Sequence, residues 1–222
     1  MNSPTQNTAG HPEFKRNMRD IMARGRVMPV LTIQDAAQAG KLARTLVDGG
    51  VLFFEVVLRT PSALDALMEM RKAAPEADIG AGTLLTPEDV ERAIAAGAAF
   101  GVSPGCTPEL AKAVQARGFP FLPGVASASE VMLARQYGFR ELKLFPAQGA
   151  AGAGWLHAMA SVFPDVMFCP TGGIRPPDIP AYLSLPNCSI VGGSWVVPPA
   201  LLKAGDWAAI SALAKQAASF SA

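Results

Sequence analysis

Phe100-Gly101-Val102-Ser103-Pro104-Gly105-Cys106-Thr107-Pro108 holds a short apolar run, a turn and a helix start in succession. Threonine caps the orphan amides of a first helical turn. Proline at the next position loses nothing, because its missing amide had no partner there. The same step recurs: Thr60-Pro61 follows the apolar run 52–58, and Thr86-Pro87 follows the run 78–82. Three uses of one start signal imply three strand–loop–helix steps of one kind. Ser127 to Glu130 adds a fourth start in the form of a capping box, and Gly97, Gly118 and Gly138 stand where a left-handed residue closes a helix.

Working outward, further strands are expected at 27–32, 120–124, 141–145, 167–171 and 189–192. Helices are expected from Asp35 to Asp48 and from Asp206 to Ser219, with a short amphipathic helix within 14–24 ahead of the first strand. Eight strands at spacings of about 20 to 25 residues fit a closed (β/α)8 barrel, an α/β fold of one domain. Residues 14–222 read as that single barrel and residues 1–13 as a loose polar tail.

Composition narrows the function classes. The chain has 222 residues, half of them hydrophobic, and a formal net charge of +1 with its lysines and arginines scattered. Nothing there suggests nucleic acid or an anionic membrane. No apolar run approaches the roughly 18 residues of a membrane span, and the first residues lack the apolar core of a signal peptide. Cys106, Cys169 and Cys188 have no metal-type spacing, and their odd number argues against a disulfide framework, as in a reducing cytosol. Of the 2 histidines, His11 falls in the tail. A multi-histidine metal site is thereby excluded, although a carboxylate-only Mg²⁺ site is not. A Ser–His or Cys–His nucleophile would have to use His157, in a Gly/Ala-rich segment, and is set aside.

Chemistry should gather at the strand ends of one barrel face. In Glu141-Leu142-Lys143-Leu144-Phe145-Pro146, alternate residues share a face, so Lys143 points into the barrel if Leu142 and Leu144 pack under helices. By the same alternation Glu55 and Arg59 share a face of the second strand, opposite Phe54, Val56 and Leu58. One reading is a structural ion-pair layer. The other gives each group a task. A buried lysine is driven towards its neutral form by desolvation and by a nearby cation such as Arg59, while Glu55 opposes that shift. An ordinary lysine is under about 0.1% neutral at pH 7, and only the neutral amine attacks a ketone to form an imine. Glu55 could then move protons, and Arg59 could hold a carboxylate with two donors. Gly172-Gly173 and Gly192-Gly193-Ser194, after strands seven and eight, suit a phosphate seat, for which a sugar phosphate is the natural ligand.

Together, Phe54-Glu55-Val56-Val57-Leu58-Arg59-Thr60, Gly80-Ala81-Gly82-Thr83, Ser103-Pro104-Gly105, Leu142-Lys143-Leu144-Phe145-Pro146-Ala147, Cys169-Pro170-Thr171-Gly172-Gly173-Ile174 and Gly192-Gly193-Ser194-Trp195 resemble the motifs of a known family. It is the class I aldolases for 2-keto-3-deoxy-6-phosphogluconate (KDPG) and 4-hydroxy-2-oxoglutarate (KHG). The resemblance runs in order from Val27 to Ala217. It implies Lys143 as the Schiff-base lysine and Glu55 as general acid/base. It further implies Arg59 and Thr83 as holders of the pyruvate carboxylate, with Pro104 lining that pocket. Thr171, Gly172, Gly173, Gly193 and Ser194 would form the aldehyde and phosphate side. It implies no metal or other cofactor, and cleavage of KDPG to pyruvate and glyceraldehyde 3-phosphate in the Entner–Doudoroff route. A second substrate would be KHG, giving pyruvate and glyoxylate. A cytoplasmic homotrimer is also implied. Gln148 departs from the glutamate that family members often carry after Phe-Pro-Ala. The competing readings are the relative acting on the galactonate-derived epimer, an isomerase or synthase on a phosphate-binding barrel, and a non-catalytic phosphometabolite binder.

Overall fold

The computed structural model describes residues 14–150 and 152–220, so the expected tail over 1–13 lies outside the described residues. Its strands are β1 (Val27–Leu31), β2 (Phe53–Val57), β3 (Asp78–Gly82), β4 (Gly101–Val102), β5 (Phe121–Leu122), β6 (Gly124–Val125), β7 (Glu141–Leu144), β8 (Met167–Pro170) and β9 (Val191–Gly193). All pair in parallel, in two arcs of order β5-β4-β3-β2-β1-β9 and β6-β7-β8. Isolated parallel bridges Phe168↔Cys188 and Thr171↔Gly192 join β8 to the β9 segment. On the other side β5 and β6 are one strand interrupted at Pro123. A proline has no amide to give to a ladder, yet its carbonyl still accepts from Lys143 N at 2.8 Å. The ring is therefore an eight-stranded barrel, with the expected strand 120–124 split in two.

Between the strands run α2 (Ala39–Asp48), α3 (Ala63–Ala73), α4 (Pro87–Ala95), α5 (Pro108–Arg117), α6 (Ala128–Gln136), α7 (Gly152–Val162), α8 (Ile179–Leu183), α9 (Pro199–Ala204) and α10 (Trp207–Ser219). Thr86, Thr107 and Ser127 accept from the amides of Asp89, Leu110 and Glu130, as their positions predict. Thr60 does something else. Its hydroxyl donates to Ile33 O at 2.5 Å and Ser62 Oγ donates to the same carbonyl at 3.0 Å, so neither caps α3. A free acceptor in the neighbouring loop outcompetes the helix amides, and the loop after β2 is tied to the loop after β1.

Alternation along the strands divides the core. Phe54, Val56, Leu142 and Leu144 face the helices, while Met28, Phe53, Phe100, Leu122, Cys169 and Ile190 fill the barrel. The helix expected within 14–24 is only one turn and a half, α1 (Met18–Met22), capped by Asn17. Its Met18, Ile21 and Met22 join the interior cluster, so α1 stoppers the amino-terminal end of the barrel. Arg16 and Arg24 fasten it there by reaching the buried Asp78 at 3.1 and 2.6 Å. A cavity of about 600 Å³ opens at this end, lined by those same charges. It lies at the amino-terminal ends of the strands, away from the end to which the strands deliver Lys143. Among the described residues no helix is long and apolar enough to cross a membrane.

Candidate active site

β7 puts Lys143 between Gly124 of β6 and Cys169 of β8, with its side chain turned inward and 6% exposed. Across the barrel, β2 presents Glu55, which is wholly buried. Lys143 Nζ lies 3.3 Å from Glu55 Oε1 and 5.2 Å from the centre of the Phe145 ring. Glu55 Oε2 is buried without a hydrogen-bond partner among the described residues. It is aimed at the end of β3, where a Cβ on Gly82 would sit 2.8 Å from it, so glycine leaves the space the carboxylate fills. An unpaired buried oxygen is unfavourable by about 1–3 kcal/mol, and such a group is a place for a bound molecule to donate a proton or hydrogen bond. Burial pushes the neighbouring Cys169 thiol up to about 12. The wall beside the lysine is therefore a neutral thiol, not a competing charge.

Arg59 departs from expectation. β2 ends at Val57, and the chain turns there, with Arg59 N donating to Val57 O at 2.8 Å. Arg59 is thus an exposed loop residue, two positions beyond the strand that carries Glu55. Its Nε donates to Thr83 Oγ1 at 3.0 Å, so the described partner of the lysine is Glu55 and not a neighbouring guanidinium. Thr83 has φ +62°, a left-handed conformation that a β-branched residue rarely adopts and that stores about 1–3 kcal/mol. The bond occupies Nε and leaves the terminal guanidinium nitrogens for another acceptor.

Pro104 is half-buried in the loop after β4. The carbonyl of that proline lies so close to Gly124 that any Cβ there would collide with it. Since Gly124 is the register partner of Lys143, Pro104 is brought next to the lysine's strand. On the other flank Thr171 is buried and its hydroxyl donates to Cys169 O at 3.3 Å. Gly172 and Gly173 have φ of +105° and +83°, open to glycine without strain. The amides of Gly173 and Ile174 find no protein acceptor among the described residues. Successive free amides around left-handed residues form a concavity that binds anions. Gly193 is buried at the end of β9 and Ser194 is exposed, opening the following 3-10 turn. The sequence left Gln148 without a task. Its side-chain amide donates to Gly173 O at 2.8 Å. Only the chain path reveals that contact, since the two residues are far apart in sequence.

A buried amine beside a carboxylate, with a carboxylate-sized anchor on one flank and an anion seat on the other, can form an imine and move protons around it. Fold and site define a closed α/β barrel with a buried lysine–carboxylate pair at one end. The chain belongs to the KDPG and KHG aldolase family, whose model matches residues 18–213. It is 43% identical over 204 residues to the KHG/KDPG aldolase of Escherichia coli, covering 92% of this chain and 96% of the relative. Two solved structures are also similar. KDPG aldolase from Legionella pneumophila, with pyruvate captured at low pH as a covalent carbinolamine intermediate, superposes with a TM-score of 0.90 at 43% identity. That alignment covers 93% of this chain and all of the other. The 2-keto-3-deoxy-6-phosphogluconate aldolase of Zymomonas mobilis with 3-phosphoglycerate superposes with a TM-score of 0.87 at 47% identity, covering 92% and 96%.

Proposed function

We propose that the protein is an aldehyde-lyase that cleaves KDPG to pyruvate and D-glyceraldehyde 3-phosphate, the aldolase step of the Entner–Doudoroff pathway. The observation that carries this reading is the enclosed Lys143–Glu55 pair, 3.3 Å apart, at the same barrel end as the free amides of Gly173 and Ile174. Lys143 in its neutral form attacks the ketone carbon to give a carbinolamine, which takes a proton from Glu55 as it loses water to become a protonated imine. Glu55 Oε2 takes the proton of the C4 hydroxyl. The C3–C4 bond breaks, its electron pair moves into the imine to form an enamine, and the aldehyde leaves. Protonation of the enamine at C3 and hydrolysis of the imine release pyruvate and return the lysine. The protonated imine is the electron sink, so the route needs no metal. Arg59, oriented by Thr83, holds the keto-acid carboxylate, and Pro104 walls that pocket. Thr171, Gly172, Gly173, Gly193 and Ser194 receive the aldehyde and its phosphate.

The name of the Escherichia coli relative supports KHG as a second substrate, split to pyruvate and glyoxylate. Glyoxylate has no phosphate, so its turnover does not call on contacts to a phosphate group. We further propose a homotrimer acting in the cytoplasm, as the family resemblance implies. The deciding experiment incubates the protein with pyruvate and borohydride and maps the adduct by peptide mass. A reduced pyruvyl group on Lys143 is expected; a folded protein that gains none has no imine mechanism.

A further inference from the structure

The loop after β7, which carries the lysine's strand out of the barrel, is zipped to the glycine loop after β8. Ala147 N donates to Thr171 O at 2.8 Å, and Gln148 N donates to Gly172 O at 3.4 Å. The third and outermost tie is made by a side chain: Gln148 Nε2 donates to Gly173 O at 2.8 Å. The side-chain amide also lies flat on Gly173, close enough that a Cβ there would overlap its Oε1. These ties act where the backbone has least stiffness of its own, at two consecutive left-handed glycines.

We infer that Gln148 is a positioning residue for the anion seat, holding the Gly173 and Ile174 amides at a fixed reach from Lys143. The inference rests on the reading of that loop as the phosphate side. The physical step is the geometry of one peptide. The bond from Gly173 to Ile174 is trans; among the described residues the cis bond is Phe145-Pro146. A trans peptide points its N–H opposite to its C=O. Engaging the Gly173 carbonyl from the Gln148 side therefore aims the Ile174 amide away from Gln148. Without the tie, that peptide is free to rotate and its amide loses its set direction.

Gln148 is exposed, so substitutions there leave the core intact. Gln148→Met keeps the length and removes the donor, and Gln148→Ala removes the side chain. The assay compares cleavage of KDPG with that of KHG, which has no phosphate, and records pyruvate trapping by borohydride in parallel. One hydrogen bond of ordinary strength sets the scale at about 0.5–1.5 kcal/mol, or about 2- to 10-fold. The expected result is a KM for KDPG raised about 3- to 10-fold in Gln148→Met and in Gln148→Ala, with KM for KHG and pyruvate trapping held. Equal loss on both substrates would make Gln148 a general structural support and overturn the inference. So would an unchanged KM for KDPG in both variants. If the unsubstituted protein fails to trap pyruvate, the aldolase reading falls and takes this inference with it. If it traps pyruvate and the variants do not discriminate, the inference alone falls.

Discussion

Replacing Glu55 by glutamine separates the two tasks given to the carboxylate, because it keeps shape and removes charge. Glu55 is wholly buried, its Oε1 stands 3.3 Å from Lys143 Nζ, and the lysine side chain is 6% exposed. The variant therefore leaves an ammonium group buried without its counter-ion. Breaking a buried pair from one side is unfavourable by about 3–5 kcal/mol, so Glu55→Gln should lose about 3–5 kcal/mol of stability at pH 7. Denaturant melts at that pH read this directly. Chemistry should move differently from stability. Imine formation needs the amine itself, so trapping of pyruvate by borohydride should reach its usual extent on long incubation. Proton exchange at the methyl carbon of bound pyruvate needs the lost carboxylate and should slow by about 10²- to 10⁴-fold. Deuterium incorporation followed by proton NMR measures it. Unchanged exchange in a folded variant would remove Glu55 from the proton-transfer role, and lost trapping would show that the pair is needed for the imine itself.

Three further outcomes test other parts of the molecule. Thr83→Val keeps the branched shape and removes the acceptor for Arg59 Nε; because Arg59 is exposed, the loss is about 1 kcal/mol, giving about a fivefold higher KM for the keto acid with kcat held. Thr83→Ser should restore the wild-type KM, and equal behaviour of the two variants in steady-state kinetics would dismiss the hydroxyl. Asp78→Asn should lower stability by about 2 kcal/mol in urea melts, through weakened bonds from Arg16 and Arg24, while specific activity of the folded fraction stays unchanged at the far end of the barrel. Burial holds the Cys169 thiol at about 12, so iodoacetamide at pH 8 should leave it unlabelled in the folded chain and modify it after unfolding, as peptide mass mapping would report.

The barrel was legible in sequence because its steps repeat a signal with one physical cause. Thr86-Pro87 and Thr107-Pro108 satisfy helix ends locally, so neither needs the tertiary fold to be read. Thr60-Pro61 has the same letters and a different fate: Ile33 O, supplied by a distant loop, takes the hydroxyl that local logic assigned to a helix. The split at Pro123 was written in the chain as a missing amide, yet the ring closes through it because Lys143 N needs only the carbonyl. At the site, strand alternation correctly turned Lys143 and Glu55 inward, since both lie within regular strands. It does not reach Arg59, because alternation ends where the strand ends, and β2 stops at Val57. What sequence could not supply is pairing across the barrel: which oxygen of Glu55 meets the lysine and which stays free, and that Gln148 reaches Gly173. These contacts follow from closure, which brings residues 55, 143 and 173 to one end of the ring. The function proposed for Lys143 thus depends less on its own strand than on closure. An open sheet would leave the amine hydrated and charged, whereas the ring gives it one carboxylate, a neutral wall and a single side of approach.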